Sequence, residues 1–251
     1  MASTGETGEI QEAAVLGAGV MGAAIAAHLA NAGVTVHLLD IVPDGAEDRD
    51  TLARTAIQKM LKQDPAPFTH KRNAKRVLPG NFEDHLDRLA RCDWIVEAIV
   101  ERQDIKQDLY TKVDANRKSG SVVSSNTSTI PLAALVDGMP DSFRQDFLIT
   151  HFFNPPRYMR LLELVAGERT RPEAVETVRR FADRGLGKTC IDCNDTPGFV
   201  ANRIGIYWLL ASVVHAINMD VTVEEADAVI GKPFGIPKTG VFGLMDLVGI
   251  D

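Results

Sequence analysis

At 251 residues, with 45% hydrophobic and 24% charged residues, the chain has an ordinary globular composition that buries a sizeable core and excludes long disorder. A formal net charge of −7 excludes general nucleic-acid binding. Three cysteines suit a reducing compartment, residues 1–9 have neither the basic region nor the apolar core of a signal peptide, and the apolar run at 204–214 is far too short to span a bilayer. A soluble cytoplasmic protein with a frayed N-terminal tail and no membrane association is expected.

Residues 13–16 read as a short apolar strand that feeds into Gly17, Gly19 and Gly22, the spacing G-x-G-x-x-G. A helix follows with Ile25, His28 and Leu29 on one face, and Gly33 closes it. Residues 34–39 form a second strand, ending at Asp40. In such a βαβ unit Gly17 permits the tight turn, Gly19 lets the backbone approach a pyrophosphate, and Gly22 lets helix and strand pack closely. The start of the helix, at Val20 and Met21, receives the negative charge. Asp40 is placed to accept hydrogen bonds from an adenosine ribose and to repel a 2′-phosphate, which favours NAD over NADP. The bland alternative is an ordinary strand, turn and helix. The acid at the right distance argues against it.

Residues 50–63 read as a helix with Leu52, Ala56, Ile57, Met60 and Leu61 on one side. Between 59 and 76 six Lys or Arg residues, Lys59 and Lys62 among them, face the single acid Asp64; the patch either meets a phosphorylated ligand or is a solvated face. A short helix at 82–90 precedes a strand at 94–100, with Glu97 in its middle and Glu101 at its end. In a doubly wound sheet the carboxyl ends of the strands face the ligand, so Glu101 is expected to touch cofactor. Residues 103–117 predict a helix with Ile105, Leu109 and Val113 inward, and 121–125 a strand leading into Asn126, Ser128 and Pro131. That polar knot is either loop and cap chemistry or a cradle beside a nicotinamide.

His151 ends one apolar run and Glu163 interrupts another, with Pro155 and Pro156 breaking the chain between them. A carboxylate in a buried strand needs a partner, and two strands side by side would bring it to the imidazole. Held so, the imidazole is a general base; the alternative is a pair that only fixes two strands. An exposed helix at 173–184 and a strand at 188–192 follow. Cys190 and Cys193 fall on opposite faces of that strand with no second Cys/His pair nearby, so no metal site is expected. From Pro197 and Gly198 a long helix, apolar on nearly every face, runs to Asn218 with Asn202 at its start; such a helix is expected to be buried. A helix at 223–230 follows, and the chain is expected to stop after 246–251 without a terminating helix.

Taken together, residues 17–22, 96–101, 125–128, 151–155, 162–165 and 195–203 resemble the L-3-hydroxyacyl-CoA dehydrogenases of fatty-acid β-oxidation, over residues 13–251. Pro155, Pro156, Arg157 and Tyr158, with the 64–68 insertion, look most like the bacterial multifunctional type, in which a dehydrogenase half precedes an enoyl-CoA hydratase half. The resemblance implies an α/β protein: a doubly wound Rossmann-type sheet at 10–195, then a small all-α domain at 196–251 for substrate and dimerisation. It implies NAD as cofactor and an acyl-CoA substrate. His151 would be the base and Glu163 its orienting partner, with Ser128 and Asn202 hydrogen-bonding the substrate oxygen. Glu101, Lys106, Asn126 and Asn154 would lie near the nicotinamide, and Lys59 and Lys62 near the CoA phosphates. A homodimer or a fused hydratase half would be the partner. Because the family carries further helices, the chain is expected to be truncated, with the 197–218 helix short of cover. The rival readings are a dehydrogenase of a non-CoA 3-hydroxy acid on the same scaffold and a non-catalytic NAD-binding module.

Overall fold

The structure, a computed structural model, describes residues 10–235 and 239–249; the tail read at 1–9 and the last two residues of the chain lie outside the described residues. The chain divides into two compact units, Met1–Pro197 and Gly198–Asp251. The first unit runs β1 (Glu12–Leu16), α1 (Val20–Asn31), β2 (Thr35–Asp40), α2 (Thr51–Met60), β3 (Val77–Asn81), β4 (Trp94–Glu97), α3 (Gln103–Asn116), β5 (Val122–Ser125), α4 (Leu132–Leu135), α5 (Asp141–Asp146), β6 (Phe147–Phe152), β7 (Leu161–Ala166), α6 (Pro172–Leu186) and β8 (Thr189–Asp192). The second holds α7 (Ala201–Asn218), α8 (Val223–Val229) and α9 (Gly240–Val248).

The strands form one sheet in the order β3-β2-β1-β4-β5-β6-β7-β8. The first six are parallel, β7 is antiparallel to β6, and β8 is parallel to β7. Strand order reverses between β1 and β4, which opens a crevice at the carboxyl ends of the parallel strands. Alternation along each strand then sorts the side chains. Val15, Leu38, Trp94, Leu148 and Phe152 share one apolar cluster with Ile25 and Leu29 of α1 and with Val178 and Ala182 of α6. Phe147 belongs to the opposite face, against Tyr110 of α3 and Phe143 of α5. His151, Glu163, Glu97 and Ser125 are in register with that second face.

Several elements differ from the sequence reading, each for a physical reason. An unforeseen strand, β3, contains Pro79; it is tolerated because β3 pairs on one side only, where a missing N–H leaves no gap in the sheet. Residues 82–90 make no α-helix, only a turn and a 3-10 segment at Leu86–Arg91. β4 stops at Glu97, so Glu97 and not Glu101 occupies the strand's carboxyl end. The buried face of α3 is Lys106, Leu109, Tyr110 and Val113, while Ile105 is exposed. In α2 Ala53, Ala56 and Met60 are buried and Leu52 is not. Helix α6 is no exposed helix: Ala174, Val178, Ala182 and Leu186, at spacing four, form a buried stripe. Within the second unit α9 runs to Val248, where no helix was expected. Helix α7 leaves Ile204, Ile206, Tyr207, Leu210, Val214 and Ile217 exposed, and only Ser212 and Ala216 are buried. Helices of 7 and 9 residues cannot encircle one of 18.

Beneath the β6–β7 turn sits an unusual pair of buried bases. His28 of α1 is 7% exposed, and neither ring nitrogen makes a well-formed hydrogen bond among the described residues. Burial, helped by the charges of Lys188 and Arg157, pulls its pKa down to about 4, against a weaker pull upwards from the Leu186 backbone. Lys188 is also buried, donating to the Pro156 and Met159 carbonyls, and burial pulls its ammonium down to about 8. With a folded pKa below the unfolded 6.5, His28 favours folding fully above pH 6.5, and that stability is lost as pH falls towards 4. From pH 7.5 to 5 the loss from this residue is about 2 kcal/mol. Urea unfolding of wild type and His28→Leu at both pH values is the check: the variant should lose about 2 kcal/mol less on acidification. Equal losses would show that His28 is not held neutral.

Candidate active site

The glycine turn between β1 and α1 is shaped by what it must pass. Gly17 has φ +105°, and a Cβ there would lie 2.5 Å from the Ala98 carbonyl oxygen; a Cβ on Gly22 would lie 1.9 Å from the Gly17 oxygen. A Cβ on Gly19 would meet nothing within 4 Å, so this flank opens outward. Gly19 caps α1 without a side-chain hydrogen bond, so the amides of Val20, Met21 and Gly22 have no intrahelical partner. Such a terminus suits a pyrophosphate. Asp40, at the end of β2, accepts the Ala18 amide at 2.6 Å and the Ile41 amide at 2.7 Å. Asp40, Gly19, Val20 and Lys59 share the walls of a cavity of about 450 Å³. A larger cleft, about 600 Å³, opens at Gly33, Thr35, Arg180 and Arg184 and contains none of the sequence-predicted site residues.

Glu97 is the hub of the next group. It has no exposed surface, yet its carboxylate accepts from Lys106 Nζ at 2.6 Å, Tyr110 Oη at 2.6 Å, Ser125 Oγ at 2.7 Å and the Ile99 amide at 2.8 Å. Burial first, and then the neighbouring carboxylate, hold the Tyr110 phenol well above its ordinary pKa, so it stays a donor. Lys106 is buried too and reaches Glu101 at 3.3 Å as well. Glu101 lies exposed just before α3 and accepts from Thr127 and, at 2.8 Å, from Thr129. Burial raises its carboxyl, but the Thr127 hydrogen bond and the Lys106 charge outweigh it, and the net shift is downwards. The roles of Glu97, Tyr110 and the two threonines were not read from sequence. The signal was there for Glu97: a carboxylate in an apolar strand, the same anomaly that singled out Glu163.

His151 and Glu163 are direct cross-strand partners in the β6–β7 pair, so both side chains leave the same face. Nδ1 of His151 lies 2.7 Å from Oε2 of Glu163, with Glu163 wholly buried and His151 7% exposed. Phe153 packs its ring edge-on at 4.5 Å from the imidazole. Pairing through Nδ1 turns Nε2 to the other side of the ring. Asn126, following β5, accepts the Phe152 amide at 2.9 Å and so ties that loop to the strand carrying His151. Ser128 lies half-buried two residues further along the same loop. Asn154 is exposed in the β6–β7 turn, three residues after His151. Lys59 and Lys62 are exposed, and only Lys59 lines the cavity beside Asp40. Asn202 is half-buried on the first turn of α7 and belongs to the second unit. Among the described residues no three His, Cys, Asp or Glu side chains gather as metal ligands, and no helix is long and apolar enough to cross a membrane.

Residues 12–196 match the family model described as 3-hydroxyacyl-CoA dehydrogenase, NAD binding domain, and residues 198–251 match the C-terminal domain of the same family. A Bacillus subtilis protein named a probable 3-hydroxyacyl-CoA dehydrogenase is 44% identical over 96% of this chain and 32% of its own length. The fatty acid oxidation complex subunit alpha of Pseudomonas syringae is 33% identical over 97% of this chain and 33% of its own. The chain thus spans about a third of either relative, one of them a part of a fatty acid oxidation complex. Among solved structures, Mycobacterium tuberculosis FadB2 superposes with a TM-score of 0.80 at 30% identity, over 96% of this chain and 83% of that one.

The Lys106 ammonium and the Ile99 amide can only donate, and a neutral amide in place of the Glu97 carboxylate would leave that buried ammonium without the charge that faces it at 2.6 Å. Glu97→Gln should destabilise the chain by roughly 3–5 kcal/mol, the range for removing one partner of a buried ion pair. Urea unfolding at neutral pH measures it. A loss below about 1 kcal/mol, the scale of an exposed pair, would mean that Glu97 is not the hub described.

Proposed function

The chain belongs to the 3-hydroxyacyl-CoA dehydrogenase family, and from that premise we propose that it oxidises the C3 hydroxyl of an L-3-hydroxyacyl-CoA to the ketone with NAD. One observation carries the reading: the His151–Glu163 pair, 2.7 Å apart and buried at the carboxyl edge of a sheet with a dinucleotide-binding turn. Glu163 accepts the Nδ1 proton and fixes the tautomer, which makes Nε2 the acceptor for the substrate's hydroxyl proton. As that O–H bond breaks, the C3–O bond becomes a carbonyl and C3 releases its hydrogen as hydride. Bound NAD supplies the hydride acceptor. Glu163 then stabilises the imidazolium that forms. A positioned base of this kind contributes roughly 10²–10⁴-fold.

Ser128 hydrogen-bonds the substrate oxygen in this reading, and the resemblance gives Asn202, in the second unit, a role of the same kind. Asn126, Glu101 and Asn154, with Lys106 behind Glu101, border the nicotinamide end; the outward opening at Gly19 and the unpartnered amides of α1 fit the pyrophosphate. Lys59 and Lys62, both exposed at the end of α2, receive the CoA phosphates in this reading. In this reading the chain works in the cytoplasm, and its partner is a second copy of itself or a fused enoyl-CoA hydratase half. A non-catalytic NAD-binding module is disfavoured because it would gain nothing from a buried carboxylate held under a histidine.

Two measurements test the proposal. In steady-state assays with acetoacetyl-CoA and NADH, His151→Gln should lose at least about 100-fold in kcat while NADH affinity stays constant. A variant that keeps more than about a tenth of turnover excludes His151 as the base. Fluorescence titration should show NADH binding far more tightly than NADPH, with Asp40→Ser narrowing the gap; equal affinities in wild type would remove Asp40 from that role.

A further inference from the structure

The β6–β7 turn that follows His151 is tied from two directions. Lys188, at the approach to β8, donates to the Pro156 and Met159 carbonyls from beneath. From the side, Arg157 Nη1 donates to the Ala66 carbonyl at 2.6 Å and the Phe68 carbonyl at 3.2 Å. Its guanidinium also lies 5.0 Å over the Tyr158 ring, and the Tyr158 hydroxyl donates to the same Ala66 carbonyl at 3.1 Å. The loop that receives these bonds, residues 64–69, is also held by Asn31 of α1, whose Nδ2 donates to the Pro67 carbonyl and whose Oδ1 accepts the Thr69 amide, each at 2.9 Å. Phe68 anchors the loop in the core at 5% exposure.

The two segments joined here lie 91 residues apart, and they serve opposite ends of one substrate in the reading above. The chain passes from Lys59 and Lys62 directly into the 64–69 loop, while the turn bearing Arg157 begins directly after His151. We propose that Arg157 is a positioning residue that holds the CoA-phosphate segment at a set distance from the base, so that phosphates bound at one end deliver the acyl carbon to the other. This rests on the assignment of Lys59 and Lys62 to the CoA phosphates. A charged donor on two carbonyl oxygens is a stronger tie than a neutral one, and it leaves the loop's Asn31 and Phe68 anchors untouched if removed.

The test compares acetoacetyl-CoA with acetoacetyl-pantetheine, which lacks the nucleotide phosphates. Arg157→Met keeps the length and apolar body of the side chain but no donor; Arg157→Lys keeps a charged donor. Arg157→Met should raise KM for acetoacetyl-CoA about tenfold at little change in kcat, and leave kcat/KM for acetoacetyl-pantetheine within about twofold. Arg157→Lys should restore most of the loss. Calorimetric titration with free CoA should show the same tenfold weakening without reference to turnover. If wild type turns over neither substrate, the dehydrogenase reading fails, and the CoA titration still decides the role of Arg157. An unchanged CoA affinity in Arg157→Met overturns the proposal. So does an equal loss on both substrates, which would mean that Arg157 merely shapes the turn beside His151.

Discussion

Two carboxylates, Glu97 and Glu163, project from the same face of the sheet with no exposed surface, and the site is assembled from what each of them requires. An ionised carboxylate taken out of water is unfavourable by several kcal/mol unless donors and cations surround it. Glu97 meets that demand with Lys106 and Tyr110 from α3, Ser125 from β5 and its own Ile99 amide. Glu163 meets it with His151, directly across the strand pair. Both solutions pull functional groups to the carboxyl edge, where the strands end and the backbone turns outward. Stability and the chemistry proposed for His151 therefore draw on the same contacts.

The two hubs are connected through β5. Ser125 donates to Glu97, and the next residue, Asn126, accepts the Phe152 amide beside His151. Lys106 extends the first hub to Glu101, which in turn holds Thr127 and Thr129 on the same loop. The polar loop after β5 is thus held at both ends by hydrogen bonds rather than by apolar packing. A site that must admit and release a large dinucleotide gains from this arrangement, because its walls are fixed before any ligand contributes binding energy. The apolar helix α7 poses a separate demand. Its Ile204, Tyr207 and Leu210 stay exposed among the described residues.

Much of the site was legible because its logic is local. The glycine spacing, the strand before it and Asp40 after it all fall within one βαβ unit, where turn geometry and chain direction leave little choice. His151 and Glu163 were legible for a different reason. Each is a polar residue at odds with an apolar run, only 12 residues apart, and an antiparallel return over the two prolines could bring them together in just one way. The same anomaly at Glu97 pointed to no partner: Leu109 and Val113 of α3 are buried as read, but Lys106 and Tyr110, which approach Glu97 from the same helix, were not read as inward. In sequence Lys106 reads as solvent-facing; only the carboxylate beneath it makes its burial favourable.

Sequence by itself therefore determined the fold class, the dinucleotide turn and the His151–Glu163 pair, because periodicity, turn chemistry and the penalty on buried charge act over short stretches of chain. Tertiary structure alone decided that β4 ends at Glu97, that Pro79 lies on an edge strand, and that Arg157 fastens the turn after His151 to the loop at Ala66. Those outcomes depend on donors and acceptors brought together across as many as 91 residues, and the residue patterns of either segment carry no record of what the other presents to it.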